Sequence, residues 1–525
     1  MCGIVGFAKF TGGADPRMAR TAAALLGHRG PDDENQWSNG WATLAHRRLA
    51  IVDPDNSTQP MVQGGVALAF AGEIFDYREH RRNLVAAGHS FGTEGDAEVF
   101  LASFLIGGID RAAALPGQFG AALVDTNTRR LWLIRDRFGI VPLHYAIAGD
   151  AIAFATEVKA VLSMLEHTPQ IDERSIGDFL VLRRVPGPRT MFLGVSKVPP
   201  GHTLCFSEKA GALVKQYWQL PIRARHRNHC DADPAGQVLS ALRLAVGRQS
   251  VADAPIGCLL SGGVDSAVVA SLVGEATGRA PVTFVVGATD GKDNEVSNAA
   301  ETARLIRADH RHVLLTPAHY TRELERLTWH RDTPLSDPAD IAVFVVAREA
   351  SAVVRVLLSG EGSDELFAGY PKHAFAAFTR WIGMLPAQVR RPPLQALQAA
   401  LPAPARRLRV MLRALSEDRL EDRLNGWFAS FTLAEQRELW HAGTRAETSD
   451  SLDGIHSDGL AAMIHLDCQS WLTDHLIERT DRMLMACGVE PRLPFLDHAV
   501  LELSLIHISE PTRLRRISYA VFCLK

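Results

Sequence analysis

The chain has 525 residues, which at roughly 100–200 residues per domain implies two to four domains and excludes a single compact core. Apolar residues at 47% and charged residues at 22% match soluble globular chains and exclude disordered, collagen-like and fibrous classes. With 56 Lys and Arg against 59 Asp and Glu, the net charge of −3 gives no global basic field, so neither nucleic acid nor an anionic membrane is expected as a partner.

No window holds the 18 or more uninterrupted apolar residues of a membrane span, and a cytoplasmic location is expected. The seven cysteines (Cys2, Cys205, Cys230, Cys258, Cys468, Cys487, Cys523) are scattered and never form C-x-x-C, against a disulfide framework or a zinc site.

Residues 1–217 hold short apolar runs (CGIVGF, WATLAHRRLAIVD, VALAFAGEIF, FGAALVD, RLWLIRD, AIAFATE) broken by Gly, Pro, Asp and Asn, which predicts antiparallel strands. Helical stretches at Ala19–Leu26 and Asp96–Leu105 would pack outside two sheets. Residues 218–236, including RARHRNHCDADPAG, read as a linker. From 237 to 505 the rhythm becomes βα: PIGCLL, PVTFVVG, HRHVLL and VVRVLL alternate with helical segments such as Val296–Ala308 and Ile341–Ala352, predicting a doubly wound parallel sheet. Phe375 to about Ala446 is expected to be helical.

Cys2 follows the initiator methionine. If Met1 is removed, a thiol and a free α-amine share one residue, and the amine, titrating near pH 7.7–8.0, can take the thiol proton as an N-terminal nucleophile requires. Five motifs in order, CGIVGF, GHRGPDDE (Gly27–Glu34), HRRLAIVD (His46–Asp53), AGEIFDYRE (Ala71–Glu79) and GDAEVF (Gly95–Phe100), resemble the class II glutamine amidotransferases. The resemblance implies a four-layer αββα sandwich of the N-terminal-nucleophile type. Cys2 would attack the amide, Arg48 would pair with the glutamine carboxylate, Glu73 and Asp96 would hold its ammonium, and Leu49, Ala50, Ile51 and Val52 would line the pocket with backbone groups. The family's oxyanion donors are an Asn side chain and the next Gly N–H; here those positions are Ala71 and Gly72, so one donor is missing.

In the second half, Ser261-Gly262-Gly263-Val264-Asp265-Ser266 follows an apolar strand and lacks the Walker lysine. Paired glycines, two hydroxyls and a helix N-terminus suit pyrophosphate, and the loop resembles that of the ATP pyrophosphatases. A second loop, Ser359-Gly360-Glu361-Gly362-Ser363-Asp364-Glu365, also follows a strand. Asp265 and Asp364 could ligate Mg²⁺ together with ATP phosphates, leaving Glu361 free for substrate or proton work. DRMLMACGVEPRLPFLDHAVLEL (Asp481–Leu503) resembles the adenylating domain of glutamine-hydrolysing asparagine synthetases, which carries Leu259 and Val286 to the adenine and ribose site with Ser359 and Gly360.

Together these imply glutamine- and ATP-dependent amidation of a carboxylate through an acyl-adenylate, aspartate to asparagine by default, across an apolar interdomain tunnel, with a homodimer as family expectation. The alternatives are another carboxylate acceptor and a glutaminase-only or non-catalytic relative, to which Ala71 and the C-terminus point. Residues 506–525 carry no family motif and lack the expected lysine, so that tail is read as non-native sequence, a frameshift or a divergent terminus.

Overall fold

The computed structural model describes residues 1–220, 233–288, 294–374, 385–402, 405–417, 420–431, 433–440 and 460–507. Twelve strands build the N-terminal part: β1 (Gly3–Lys9), β2 (Asp33–Ser38), β3 (Ala42–Arg48), β4 (Met61–Gln63), β5 (Val66–Ile74), β6 (Gly117–Asp125), β7 (Arg130–Arg135), β8 (His144–Ala148), β9 (Ala151–Ala155), β10 (Val195–Lys197), β11 (His202–Ser207) and β12 (Gly211–Gln216). They form two six-stranded antiparallel sheets, ordered β10-β8-β9-β1-β3-β2 and β12-β11-β7-β6-β5-β4.

Interior strands are nearly all apolar because both of their faces are covered. β5 reads VALAFAGEI with only Gly72 partly exposed, while the edge strands β2 (DENQWS) and β12 (GALVKQ) carry the solvated residues. Helix Pro16–Ala24 packs on β1 and β3, and helix Asp96–Ala113 packs on β5. Phe70, Phe100 and Phe119 join the second sheet to that helix, with ring centroids 5.2–6.1 Å apart. The outcome is the expected αββα sandwich, with the helix at Asp96 running on to Ala113 through a kink at Gly108.

The C-terminal part holds five parallel strands, β13 (Ile256–Leu259), β14 (Val282–Ala288), β15 (Asp309–Leu315), β16 (Val356–Leu358) and β17 (Glu490–Arg492), in the order β15-β14-β13-β16-β17. Alternate residues feed two cores. Val356 and Leu358 join Cys258, Val269 and Val273 on one face, and Leu357 joins Phe284, Phe344 and Leu484 on the other, as a doubly wound sheet requires. The chain reverses its strand order between β13 and β16, so the crevice where such sheets bind ligands lies at the ends of these two strands.

One expected boundary shifts. The linker ends earlier than 236, because Asp233 caps a helix over Pro234–Gln249 by accepting from Gly236 N–H; residues 221–232 lie outside the described residues. The segment 375–446 is helical where described, at Ala387–Ala400, Arg406–Ser416, Leu420–Asn425 and Leu433–Leu439. No helix among the described residues is long and apolar enough to cross a membrane. The tail beyond 507, with Cys523, and Cys230 fall outside the described residues.

Candidate active site

β1 begins at Gly3, so Cys2 sits at the mouth of the first sheet, with its Sγ 3.5 Å from the Leu49 N–H nitrogen and 3.8 Å from the Leu49 carbonyl oxygen. Burial pushes the Cys2 thiol up, against the pull of the adjacent α-amine and the Leu49 N–H. Met1 is buried too, and its α-amine pairs with Glu490. Arg29 fixes the backbone here by donating from Nε to the Cys2 carbonyl at 3.2 Å.

The loop after β3 wraps Arg48. Its Nη1 donates to Pro54 O (2.6 Å) and its Nη2 to Asp53 O (2.6 Å) and Val52 O (3.4 Å). Ala50 N–H is engaged by Asp32, and Ile51 O accepts from Asp253 N–H at 2.9 Å, so this lining is held from both halves of the chain. Ala71 is fully buried in β5 with no donor of its own. Gly72 follows at φ +131°, and a Cβ there would lie 2.0 Å from Gln118 O, so only glycine fits.

Glu73 and Asp96 are both buried and act on each other. Burial, then Asp96, raise the Glu73 carboxyl well above the usual carboxylate range. Burial also lifts Asp96, to about 6, although it accepts a 2.9 Å hydrogen bond from Ile74 N–H. His46 on β3, its Nε2 3.0 Å from Phe70 O, is pushed down to about 4 by burial and is neutral at pH 7. The N-terminal amine and Glu490 act on both Cys2 and Glu73, which links the Cys2, Arg48 and Leu49 group to the Glu73–Asp96 pair.

At the other site, the Ser261–Ser266 loop leaves β13 and enters helix Val264–Thr277, whose N-terminus has no side-chain cap. Ser266 Oγ accepts from Ser261 N–H and donates to Gly263 O, each at 3.1 Å, which shapes the loop. The second loop leaves β16 beside it, and a Cβ at Gly360 would lie 2.9 Å from Ser266 N, so the two backbones touch. Asp364 stands close enough to Asp265 to raise its proton affinity. Burial is the larger cause and puts Asp265 at about 6, even though Ser363 donates to it; burial also raises Asp364, against the pull of His373. Leu259 closes β13, and Val286 lies on the neighbouring β14. Among the described residues no cluster of three or more acidic, Cys or His side chains forms a complete metal cage; two carboxylates meeting at a phosphate nest suit Mg²⁺ carried in with a nucleotide.

Glu361 is not free, contrary to expectation. Helix Glu478–Met485 brings Arg479 Nη2 to 2.8 Å from one of its oxygens, and the Thr480 hydroxyl donates to the other.

The residues that join the two sites carry no individual role in the sequence reading. Glu490 and Arg492 of β17 reach back to the N-terminal half. Arg492 Nη2 lies 3.1 Å from Glu73 Oε2, and Gln118 Nε2 donates to Pro491 O at 2.8 Å. Nearby, Arg29 holds Asp481, and Glu157 holds both Arg29 and Arg482, each at 3.1 Å. Asp481, Arg482, Glu490 and Arg492 were marked in the sequence only by membership of the D-R-M…E-x-R stretch, and Arg29 only by the GHRGPDDE motif.

Residues 1–218 match the family model described as a glutamine amidotransferase domain, and residues 237–508 match that described as asparagine synthase. The chain belongs to the asparagine synthase family. It is 33% identical, over 95% of its length and 81% of the relative's, to a Mycobacterium tuberculosis (strain ATCC 25618 / H37Rv) protein provisionally named a glutamine-hydrolyzing asparagine synthetase. It is 30% identical to asparagine synthetase [glutamine-hydrolyzing] 1 of Bacillus subtilis (strain 168), over 96% and 80% of the two chains. Amidase chyE of Penicillium rubens is 28% identical over 96% and 82%. A solved B. subtilis glutamine phosphoribosylpyrophosphate amidotransferase aligns with 70% of this chain and 77% of that one, at 16% identity and a TM-score of 0.31, a likeness too slight to bear on the fold. As a member of this family the chain is a glutamine-hydrolysing amidating ligase that uses ATP.

Proposed function

We propose that this ligase converts aspartate to asparagine, with glutamine as nitrogen donor and glutamate, AMP and pyrophosphate as co-products. One observation carries the reading. β17 is hydrogen-bonded to the strand that ends in the Ser359–Glu365 loop, while its Glu490 and Arg492 side chains end at the N-terminal amine and Glu73. A nitrogen-releasing cluster and a phosphate nest thus share one structural element.

Arg48 would receive the glutamine carboxylate through the N–H groups that its carbonyl partners leave over, and Glu73 with Asp96 the ammonium. With Met1 removed, the Cys2 amine takes the thiol proton and Sγ bonds to the amide carbon. The Gly72 N–H supports the oxyanion, the C–N bond breaks as the Cys2 ammonium passes that proton to the leaving nitrogen and ammonia is released, and water then hydrolyses the thioester to glutamate. At the second site an acceptor carboxylate oxygen bonds to the α-phosphorus as the α–β anhydride bond breaks. Pyrophosphate leaves into the Ser261–Ser266 nest at the helix N-terminus. Leu259 and Val286 would flank the adenosine, with Ser359 and Gly360. Asp265 and Asp364 would hold Mg²⁺, which supplies charge compensation on phosphate oxygens when bound. Ammonia crossing the β17 boundary, through the tunnel the family reading expects, attacks the acyl carbon and displaces AMP. Glu361, held by Arg479 and Thr480, takes the proton that the nitrogen sheds.

A second acceptor class has support in the Penicillium relative, which is named an amidase. Pyrophosphate release measured with aspartate and with other carboxylic acids separates the two. Release that depends on aspartate upholds asparagine synthesis, and release with another acid but not with aspartate overturns it. Glutamate formation that survives Cys2→Ala would overturn the nucleophile assignment.

A further inference from the structure

Arg492 is completely buried and belongs to the synthetase sheet, yet one arm of its guanidinium reaches a carboxylate of the glutaminase half. Nη1 donates to Gln249 O (2.8 Å) and Val251 O (2.7 Å), at the end of the helix that leads into β13. Nε donates to Glu490 Oε1 at 2.9 Å, and Nη2 reaches Glu73 Oε2 at 3.1 Å. Its own carbonyl accepts from Ser359 N–H at 3.0 Å, the first residue of the second nucleotide loop. Four fixed partners leave the side chain one orientation.

The charges acting on Glu73 are Asp96, Glu490, Arg492 and the N-terminal amine. Three carboxylates therefore face two cations, an excess of one negative charge in a buried site, and a ligand ammonium brings the balance to neutrality. If Arg492 left, a second negative charge would be uncompensated. The guanidinium thus stays while the ammonium binds.

We infer that Arg492 is a positioning residue for glutamine recognition, contributed by the synthetase half, which holds the Glu73 carboxylate oriented toward the α-ammonium of glutamine. The inference rests on the glutaminase reading above and adds that the glutamine site is complete only when β17 is docked.

The test compares hydrolysis of glutamine with that of glutaramate, the same amide without the α-amino group, in the full chain and in R492Q and R492K, followed by ammonia release. In R492Q the KM for glutamine is expected to rise about tenfold or more, the equivalent of one ordinary charged contact. Its kcat should stay within about threefold, and kcat/KM for glutaramate should change little, because only glutamine presents the charge that Glu73 reads. R492K should recover part of the loss. Equal losses for both amides, or an unchanged glutamine KM, overturn the inference. Should R492Q fail to fold, R492K decides alone: a rise in glutamine KM without one for glutaramate supports the role, and parallel changes refute it. If the unmodified chain releases no ammonia, the glutaminase reading fails by itself. Calorimetric glutamine binding to Cys2→Ala with and without R492Q then still decides, weaker binding supporting the role of Arg492 and equal affinity overturning it.

Discussion

Arg29 and Asp481 face each other as a bidentate pair, Nη1 to Oδ2 and Nη2 to Oδ1 both at 2.8 Å, although they stand 452 positions apart in the chain, and neither side chain is exposed beyond 1%. The same arginine fixes the Cys2 carbonyl, so the contact that closes the two halves also sets the nucleophile. Removing one partner of a buried pair strands the other charge, at a cost of about 3–5 kcal/mol. We expect R29A and D481A each to lower the thermal unfolding midpoint sharply, and R29M with D481L to recover much of it. Additive losses in the double variant would show that the two side chains do not act as a pair.

Gly72 sits where a Cβ would strike Gln118 O, at a φ that other residues avoid. We expect G72A to lose about 10²-fold or more in glutamate formation, since moving the backbone N–H displaces the remaining oxyanion donor. Amidation driven by added ammonia should persist in the same protein. Glutaminase kinetics unchanged in G72A would remove Gly72 from the reaction.

At Ala71 the change can be made in the favourable direction. A71N would return a side-chain donor to the oxyanion, and a gain in glutamine kcat of up to about 10²-fold is expected if β5 accommodates the amide. A folded A71N with no gain would mean that another group already serves.

Asp96 gives a pH dependence with a definite sign. Burial raises its carboxyl from 3.8 to about 6, and the ionised form is the one that meets an ammonium. Glutamine kcat/KM should fall as pH drops through about 6, by about tenfold for each further unit. Stability moves the other way. A carboxyl whose folded value is raised binds its proton more tightly in the fold, so its unfavourable contribution at neutral pH lessens between about 6 and 3.8. An acid limb that persists unmoved in D96N would assign it to another group.

Asp265 and Asp364 stand at the switch point, one on each loop. D265N and D364N should each lower ATP-dependent pyrophosphate release by about 10²-fold or more, through lost metal and phosphate charge compensation. Glutamine hydrolysis should continue in both. A joint loss of both activities would mean that the halves cannot work apart.

The elements legible in the sequence were those whose pattern is local. The apolar runs of β5 and β6, the strand, glycine turn and helix at Ser261, and the thiol at position 2 each announce themselves within about ten residues. What stayed hidden was set by partners far along the chain. β17 is three residues long, contains Pro491 and has no strand period of its own; it pairs only because β16 offers an edge. β2 reads DENQWS, a polar run that becomes a strand as the solvated edge next to β3. Arg492 lies 419 residues from Glu73, and Arg479 lies 118 from Glu361, so neither pairing leaves a mark in spacing. Glu361 was expected free once Asp265 and Asp364 were taken as the Mg²⁺ ligands, and the arginine that holds it comes from a distant helix.

The most direct test of the central claim is a stoichiometry. The full chain, incubated with glutamine, ATP, Mg²⁺ and aspartate, is assayed for glutamate, pyrophosphate and asparagine, beside Cys2→Ala with glutamine and with ammonia. We expect the three products in equal amounts from the unmodified chain, none of the asparagine from Cys2→Ala with glutamine, and its return with ammonia. Asparagine formed by Cys2→Ala from glutamine, or glutamate formed with no pyrophosphate for any carboxylic acid supplied, would contradict a coupled two-site ligase.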